Sequence, residues 1–560
     1  MSNVMTDNLT LAEFPPIPTA QWDEAIRKDL KGAAPKTRLY YRAEDLPGLE
    51  YLDSAPGEFP YTRGTRRDND WKIREVVRDA TAAKAALEAG ADEICFVVGE
   101  QDIDEVLDSL PFDRCAVHFE AGARAAEALE ALSRRLPADA RGSVDYEPLS
   151  DFDRAVQLIR AVRAPQFRPV TIRAHRFAEA GSTIVQELGF ALAEGVEIMA
   201  QLTGRGVAPD RAAQALVFSF AVGSDYFLEI AKLRAARTTW ARVVSSFQPS
   251  SAESAKMTIY ARTSHWTKTI YDPHVNLLRA TTEAMAAAIG GADSLQVEPF
   301  DEPYREPGEF SRRLARNTQL ILKREAWLDR SVDAAGGTYY LEILTDSLAL
   351  EAWRLLQQIE AAGGFLAYSG SGALERDIAK SRADREAAVS TRRATIVGTN
   401  QYPNLQERVL PEIEREDPAP RAARIFEEIR LRTERHAART GHTPRFLLLE
   451  AGDLKMRKAR SGFITNFFGC AGFEIRISDT LTDDVDAVVL CSSDTEYAAL
   501  APRVIQQLRD AGKTTPVIVA GNPADSIEQL KQAGVADFVH IRSNAAEVLR
   551  AWQERLGVKG

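Results

Sequence analysis

The segment Leu216–Val222 reads LVFSFAV, a nearly continuous run of apolar and aromatic residues with the length of a strand. Such a run is typical of a strand that is buried on both faces, as in a parallel sheet. Helical segments separate it from seven similar runs, at residues 93–99, 115–120, 143–147, 170–175, 197–201, 257–262 and 294–298. Strands that alternate with helices indicate parallel pairing, and eight such units close a barrel. The sequence therefore predicts an α/β protein built around a (β/α)8 barrel of the TIM type.

Changes in the sequence pattern along the chain predict four segments. They are an N-terminal arm with a helix at residues 1–60, the barrel at 61–345, a helical linker at 346–440 and a small domain at 441–560. The small domain contains five predicted strands, at residues 445–450, 474–478, 487–491, 516–520 and 537–541. Five strands with intervening helices favour a flavodoxin-like doubly wound domain, which binds ligands at the carboxyl ends of its strands.

The composition excludes several classes of function. Of the 560 residues, 45% are hydrophobic and 27% are charged, so the chain has enough apolar material for buried cores. The net charge of −11 argues against nucleic acid as a partner, because it would repel phosphate backbones. Four scattered cysteines indicate a reducing compartment, and no signal peptide or apolar run of about 18 residues is recognisable. We expect a cytoplasmic protein without a membrane partner.

Five short blocks resemble sequences of the methylmalonyl-CoA mutase family, and they occur in the order expected for that family. They are PYTRG at residues 60–64, WKIR at 71–74, EIAKLRAAR at 229–237, RLARNTQL at 313–320 and IVGTNQY at 396–402. The resemblance implies a (β/α)8 barrel, a helical linker and a C-terminal flavodoxin-like domain that binds cobalamin. It also implies a complex that uses adenosylcobalamin to interconvert (R)-methylmalonyl-CoA and succinyl-CoA through radicals.

The cobalamin domain departs from the family pattern where the cobalt ligand is expected. The Asp, His and Gly of the family's DxHxxG motif fall on Lys455, Arg457 and Arg460, which carry no lone pair for cobalt at neutral pH. Two further cobalamin-binding signals of the family are changed. Its Ser-x-Leu sequence is replaced by Ser492-Ser493-Asp494, and its Gly-Gly pair is replaced by Ala520-Gly521. A solvated basic face is the simpler interpretation of the cationic residues 455, 457, 458 and 460, and an anion-binding role near a helix start is the alternative.

The barrel departs from the family pattern at the positions that contact substrate. The family's Tyr-His pair falls on His175 and Arg176, and the seventh strand ends in YARTSHW at residues 260–266. The loop TRRDND at residues 65–70 contains no active-site Tyr. Several bulky residues lie in the predicted strands: His118, Arg173, His175, Phe218, Phe220, Tyr260 and Arg262. Because alternate strand residues face inward, we expect some of them to fill the barrel.

These departures predict a non-catalytic small subunit of a heterodimeric methylmalonyl-CoA mutase, with no catalytic, cofactor-binding or metal-binding residue of its own. Its partner would be the large catalytic subunit, which would bind the adenosylcobalamin. An apolar stripe around Trp22, in the helix predicted at residues 20–31, is expected to extend onto that partner. The remaining histidines, His265, His274, His436, His442 and His540, are predicted to be solvated or capping residues.

Two alternatives remain open. One is a stand-alone acyl-CoA mutase-like enzyme that receives cobalamin from another protein, although Arg176 at the position of a substrate-contacting His argues against it. The other is a regulatory or chaperone-like module built on the same fold.

Overall fold

The computed structural model describes residues 56–415 and 417–559, together with the single positions Gln21, Glu24 and Lys28. The helix predicted at residues 20–31, including Trp22, lies outside the described residues apart from these three positions.

A parallel sheet of nine strands forms the first part of the described chain. Its strands are β1 (Lys72–Val77), β2 (Glu93–Val97), β3 (Ala116–Glu120), β4 (Gly142–Val144), β5 (Phe167–Arg168), β6 (Val170–Ile172), β7 (Leu216–Val222), β8 (Ile259–Thr263) and β9 (Ser294–Gln296). Their order is β5-β4-β3-β2-β1-β9-β8-β7-β6, with every pair parallel.

The two short strands β5 and β6 share one position of the barrel. Only Pro169 separates them, and a proline has no N–H to donate to a neighbouring strand. The sheet closes where the N–H of Thr171, in β6, donates to the carbonyl of Tyr146, just beyond β4, at 3.1 Å. Eight strand positions therefore surround the axis, and the predicted (β/α)8 barrel is confirmed.

Helices alternate with these strands and cover the outside of the barrel. They are α1 (Ala80–Glu88), α2 (Ile103–Ser109), α3 (Ala125–Arg135), α4 (Phe152–Ala161), α5 (His175–Glu179), α6 (Ile184–Gly204), α7 (Pro209–Gln214), α8 (Tyr226–Ser246), α9 (Val275–Ile289) and α10 (Glu309–Arg324). The carboxylates of Asp79, Asp102 and Asp151 accept backbone N–H groups at the starts of α1, α2 and α4. These caps satisfy donors that a helix start would otherwise leave free.

One strand prediction was wrong for the barrel, and one strand was missed. Residues 197–201, predicted as a strand, lie inside α6, which begins with a capping box between Thr183 and Gln186. Because α6 is buried over most of its surface, its sequence lacks the polar face that marks a surface helix. The first strand, β1, was not among the eight predicted runs, because Lys72, Arg74 and Glu75 interrupt the apolar residues of its sequence KIREVV.

Four further helices follow the barrel: α11 (Tyr339–Ala361), α12 (Phe365–Gly370), α13 (Ala373–Ser390) and α14 (Arg424–Thr440). Gly189 lets α6 approach α11 closely, because a Cβ at this position would lie 2.6 Å from a methyl group of Leu355. The bounds of the predicted segments, at residues 60, 345 and 440, stay predictions.

A second parallel sheet forms the last part of the chain. Its strands are β10 (Arg445–Glu450), β11 (Glu474–Ser478), β12 (Ala487–Cys491), β13 (Val517–Val519) and β14 (Val535–Phe538), and its helices are α15 (Leu454–Gly469), α16 (Tyr497–Asp510), α17 (Ile527–Ala533) and α18 (Ala545–Arg555). The order β11-β10-β12-β13-β14 is the flavodoxin-like order 2-1-3-4-5, which confirms the predicted doubly wound domain. Among the described residues, no helix is long and apolar enough to cross a membrane.

Candidate functional site

Polar side chains from five neighbouring strands meet on the axis of the barrel. A guanidinium nitrogen of Arg74 (β1) lies 3.2 Å from the carboxylate of Glu93 (β2) and 3.0 Å from Nε2 of His118 (β3). Nδ1 of His118 lies 2.8 Å from the hydroxyl of Ser143 (β4), and Ser294 (β9) donates to Glu93 at 2.6 Å. We call these five residues the axial cluster. Strand alternation places them inward, because side chains two apart on a strand share one face.

Charges within the axial cluster balance each other. Burial alone would raise the pKa of Glu93, but His118, Arg74 and the Ser294 hydroxyl together hold this pKa far below its usual range. Burial and the charge of Arg74 lower the pKa of His118. Nε2 of His118 also lies 3.1 Å from the Glu93 carboxylate, which acts in the opposite direction and raises this pKa. The cluster therefore joins the Arg74 guanidinium and the His118 ring to one carboxylate, that of Glu93.

Arg74 also separates the spaces inside the barrel. Its guanidinium lies 3.8 Å from the centre of the Tyr260 ring, whose hydroxyl donates to Gln296 on β9. Arg74 borders a cavity of about 870 Å³ at the amino ends of the strands, one of about 120 Å³ inside the barrel and one of about 430 Å³ towards the carboxyl ends. Side chains therefore occupy the middle of the barrel, apart from the smallest of these cavities.

A second polar layer lies nearer the carboxyl ends of the strands. Arg262 (β8) lies 3.4 Å from a carboxylate oxygen of Glu120 and 4.0 Å from one of Glu179. His175 was predicted within a strand, which was wrong, because it is the first residue of α5. Its Nδ1 lies 2.8 Å from the Ser219 hydroxyl. Burial, with the charge of Arg262, lowers the pKa of His175 well below its usual value, so the ring is neutral.

Arg176, at the position where the family carries its substrate-contacting His, is held by two carboxylates. Its guanidinium lies 2.5 Å from Glu147 and 2.9 Å from Glu194. Arg173 also pairs with Glu147, through two hydrogen bonds of 2.9 Å. Burial raises the pKa of Glu194 despite the nearby guanidinium of Arg176. Arg173 and Arg176 thus donate to carboxylates of this same chain.

Of the seven bulky residues, some of which were expected to fill the barrel, Phe218 and Phe220 do not face the axis. The Phe218 ring packs edge-on against Trp240 of α8, with the ring centres 4.7 Å apart. Phe220 lies on the same outer face, 5.8 Å from the amine of Lys232. Because Ser219 points inward, its two neighbours must point outward. The other five, His118, Arg173, His175, Tyr260 and Arg262, all border the inner cavity.

Two of the blocks that resemble the family contact each other outside the barrel. Arg237, in the block at 229–237, donates to the carbonyls of Tyr61 and Thr62 at 3.1 and 3.3 Å. It also donates to the carbonyl of Gly290 at 2.7 Å, at the end of α9. Arg237 is 2% exposed, so these carbonyls replace the water that its charge would otherwise need. Arg237 therefore ties these two blocks and the end of α9 together.

His265 joins the barrel to the segment before α14, and its prediction as a solvated or capping residue was wrong. Its Nδ1 lies 2.5 Å from Glu298, just beyond β9, and its Nε2 lies 2.6 Å from Asp417. Burial alone would lower the pKa of His265, but the two carboxylates outweigh it and raise the pKa to about 10. Asp417 also pairs with Arg421, at 3.0 Å. A protonated His265 thus forms part of a buried chain of ion pairs.

The cationic residues at the start of α15 do not form a uniformly solvated basic face. Lys455 and Lys458 are exposed, as predicted, although the amine of Lys458 lies 2.6 Å from Glu450, the last residue of β10. The guanidinium of Arg460 is largely buried and lies 2.9 Å from Asp494, in the loop after β12. Arg460 therefore departs from the predicted solvated face.

The ion pair between Arg460 and Asp494 lies against Gly521, in the loop after β13. A Cβ at Gly521 would lie 2.5 Å from the Asp494 carboxylate and 3.5 Å from the Arg460 guanidinium carbon. The pair therefore occupies the carboxyl edge of the sheet, where doubly wound domains bind ligands.

Comparison with known proteins agrees with this architecture. A family model described as methylmalonyl-CoA mutase matches residues 139–445, more than half of the chain. The chain belongs to the methylmalonyl-CoA mutase family.

Relatives in the mutase family carry two kinds of name. A "Methylmalonyl-CoA mutase small subunit" from Porphyromonas gingivalis is 37% identical over 98% of both chains. A protein of the same name from Streptomyces virginiae is 33% identical over the full length of both chains. A "Methylmalonyl-CoA mutase" from Cereibacter sphaeroides is 32% identical over 74% of this chain and 69% of its own. The resemblance to the mutase family is confirmed.

The sequence reasoning missed Arg74 and Glu93, two central residues of this mutase-family barrel. The detectable signal was the alternation of apolar and charged residues in WKIR, at residues 71–74, which indicates a strand with Arg74 on the face opposite Ile73. Within residues 56–415 and 417–559, no group of three or more His, Cys, Asp and Glu side chains could hold a metal ion.

Proposed function

We propose that this chain is the non-catalytic small subunit of an adenosylcobalamin-dependent methylmalonyl-CoA mutase. It would support a large subunit that interconverts (R)-methylmalonyl-CoA and succinyl-CoA. Two relatives that match the chain over nearly its whole length are named as small subunits, which supports this proposal.

The ion pair between Arg460 and Asp494 is the observation that carries the proposal. Arg460 and the other two positions of the family's cobalt-binding motif, Lys455 and Arg457, are ammonium or guanidinium cations at neutral pH, which offer no lone pair to a metal. The pair lies against Gly521, in the loop after β13. These residues do not fit a cobalamin, so we assign the adenosylcobalamin of the complex to the partner subunit.

The barrel supports the same proposal. The axial cluster fills the space along which an acyl chain would have to pass, and its polar groups satisfy one another. Arg176 is committed to Glu147 and Glu194, so its donors are not directed towards a thioester carbonyl. A buried network with internal partners is costly to open, because each freed group would need a new partner.

The role of the subunit would be to stabilise its partner by binding only the folded form. Binding of this kind raises the free energy of unfolding by mass action, without chemistry in the bound chain. The predicted helix at residues 20–31 would contribute to the interface, and the complex would be cytoplasmic.

The proposal is tested by expressing the chain alone and together with a family member that carries an intact DxHxxG motif. We expect a stoichiometric complex that has mutase activity and a cobalamin absorption spectrum, and an isolated chain that has neither. In the complex, exchange of the partner's cobalt-binding His should abolish the spectrum, whereas Arg460→Ala in this chain should leave it unchanged.

Two outcomes would favour the alternatives. Mutase activity of the isolated chain with added cobalamin carrier protein would indicate a stand-alone enzyme. Failure to bind the large subunit, with activity of the large subunit unchanged, would indicate a regulatory or chaperone-like module.

A further inference from the structure

The loops after β10 and β12 form a cradle around one carboxylate, that of Glu496. One oxygen of this carboxylate accepts hydrogen bonds from the hydroxyls of Ser492 and Ser493, at 2.6 and 2.7 Å. The same oxygen accepts from the backbone N–H groups of Ser493 and Asp453, each at 3.2 Å. Four donors from two separate loops therefore converge on one point at the carboxyl edge of the sheet.

Gly452 makes room for this carboxylate. Its φ is +73°, a conformation that favours glycine, and a Cβ at this position would lie 2.2 Å from the Glu496 carboxylate oxygen. The loop after β10 thus approaches the carboxylate more closely than a loop with any other residue could. Close approach of backbone to an anion is the usual reason for a glycine in an anion-binding loop.

The donors are held in place by contacts that do not involve Glu496. The Tyr497 hydroxyl contacts the carbonyls of Ser492 and Ala520 at 2.8 Å, and Tyr497 is fully buried. Asp453 caps α15 by accepting the N–H of Met456 at 2.8 Å. These contacts fix both loops independently, so the cradle is preorganised for an anion.

The anion in the cradle is held by neutral donors. Among the described residues, none of the ion pairs involves Glu496. The hydrogen bonds from Ser492 and Ser493 lower the pKa of Glu496 to about 2, so the carboxylate stays charged. Hydroxyl and backbone N–H donors around a charged oxygen are typical of sites that bind small oxyanions.

We propose that Glu496 is an internal ligand, which occupies a site for a small carboxylate anion at the edge where this fold binds its ligands. The side chain closes the site to external anions and ties the loops after β10 and β12 together without a cofactor. This inference goes beyond the proposed function and holds whether or not the chain is a small subunit.

The test uses the full chain with Glu496→Ala, and hydrogen exchange of the Asp453 and Ser493 amides. We expect exchange at both amides to accelerate about tenfold, which corresponds to the loss of a hydrogen bond to a charged group. Added formate should restore protection in the variant and leave the wild-type chain unchanged. Chloride at equal ionic strength should not restore protection. Phosphate is added in a parallel experiment, which distinguishes a larger oxyanion from a small carboxylate.

Two control variants make the outcome specific. Glu528→Ala removes an exposed carboxylate from α17 and should respond to neither anion. The double variant Glu496→Ala/Ser492→Ala lacks one donor and should regain less protection from formate. Equal restoration by chloride, or undiminished restoration in the double variant, would overturn the proposal.

Glu496→Gln provides an independent test if the alanine variant does not fold. Its amide oxygen fills the same space and accepts from the same donors, so formate should have no effect on it. Binding of formate by Glu496→Gln would also overturn the proposal, because the side chain would then not be what occupies the site.

Discussion

The guanidinium carbon of Arg74 lies 3.8 Å from the centre of the Tyr260 ring, and this contact joins β1 to β8 inside the barrel. The two strands are not adjacent, because β9 lies between them. The contact therefore crosses the sheet through side chains alone. It places the positive charge of Arg74 against an aromatic face on one side and against Glu93 on the other.

Exchange of Arg74 for methionine should destabilise the barrel. Methionine fills part of the same volume but leaves the buried carboxylate of Glu93 without its guanidinium partner. Breaking a buried pair in this way costs about 3–5 kcal/mol in the free energy of unfolding. Urea denaturation measures the change. The exposed Arg78, which is paired with Glu306, is the matched control, and its methionine variant should cost less than about 1 kcal/mol.

The same variant should raise the pKa of His118. Arg74 lowers this pKa by its charge, so its removal favours the protonated imidazole beside Glu93. The titration of the His118 ring by NMR checks the expectation. An unchanged His118 titration in the Arg74→Met variant would contradict the electrostatic account of the axial cluster.

The ion pairs of His265 should make stability depend on pH. The pKa of His265 is raised from 6.5 to about 10 in the folded chain, so its protonated form stabilises the fold. This contribution is complete below about pH 6.5 and is lost as the pH rises towards about 10. The difference in unfolding free energy between the wild-type chain and His265→Gln should therefore shrink over that range.

His442 provides the control for this experiment. It contacts one carboxylate, that of Asp486, at 3.0 Å, and its side chain is 41% exposed. At pH 6.5, His442→Gln should change the free energy of unfolding by less than about 1 kcal/mol, because its pair is largely exposed. If the His265→Gln variant differed from the wild-type chain equally at both ends of the range, the raised pKa would be refuted.

Replacement of two glycines in the second domain by alanine should change the stability in opposite directions. At Gly521 a Cβ would lie 2.5 Å from Asp494, so Gly521→Ala should displace the pair with Arg460 and lower stability by about 1–3 kcal/mol. At Gly462, inside α15, nothing lies within 4 Å of a Cβ. Gly462→Ala should raise stability by up to about 1 kcal/mol. Thermal unfolding of both variants measures the two changes in stability. Changes of the same sign would contradict this prediction.

Lys232, in the family-like block at 229–237, should be essential for the packing of α8. Its amine lies 2.6 Å from Glu187 and 2.6 Å from Glu229, and its side chain is fully buried. Lys232→Met would leave two carboxylates buried together and should cost at least about 3–5 kcal/mol. Lys84→Met, at an exposed pair with Glu88, should change stability by less than about 0.5 kcal/mol. Similar losses in both variants would contradict this account.

The barrel was predictable from the sequence because its strands are buried on both faces. Leu216–Val222 shows this in its apolar run. The same reasoning failed at residues 197–201, because α6 is also buried on nearly all sides and its apolar run resembles a strand. It missed β1 because Arg74 and Glu75 interrupt the run, although each is held by ion pairs that a sequence does not reveal.

The departure from the family's cobalt-binding motif was visible in the sequence alone, because it depends only on residue types. The protonated amine of Lys455 has no lone pair for cobalt, so this step of the argument needed no structure. The partners of charged residues were not predictable, because they come from distant parts of the chain. His265 meets Asp417, which is 152 residues away in sequence, and Arg460 meets Asp494 across a loop.

The position of Arg74 has a consequence for diffusion through the barrel. Because this one side chain borders the cavities at both ends of the strands and the one between them, it acts as their common wall. Solvent and small solutes that enter at the amino ends of the strands meet Arg74 together with His118 and Tyr260, and those that enter at the carboxyl ends meet it together with Arg262. A layer of side chains thus divides the interior, and Arg74 is the member of that layer that all three cavities share.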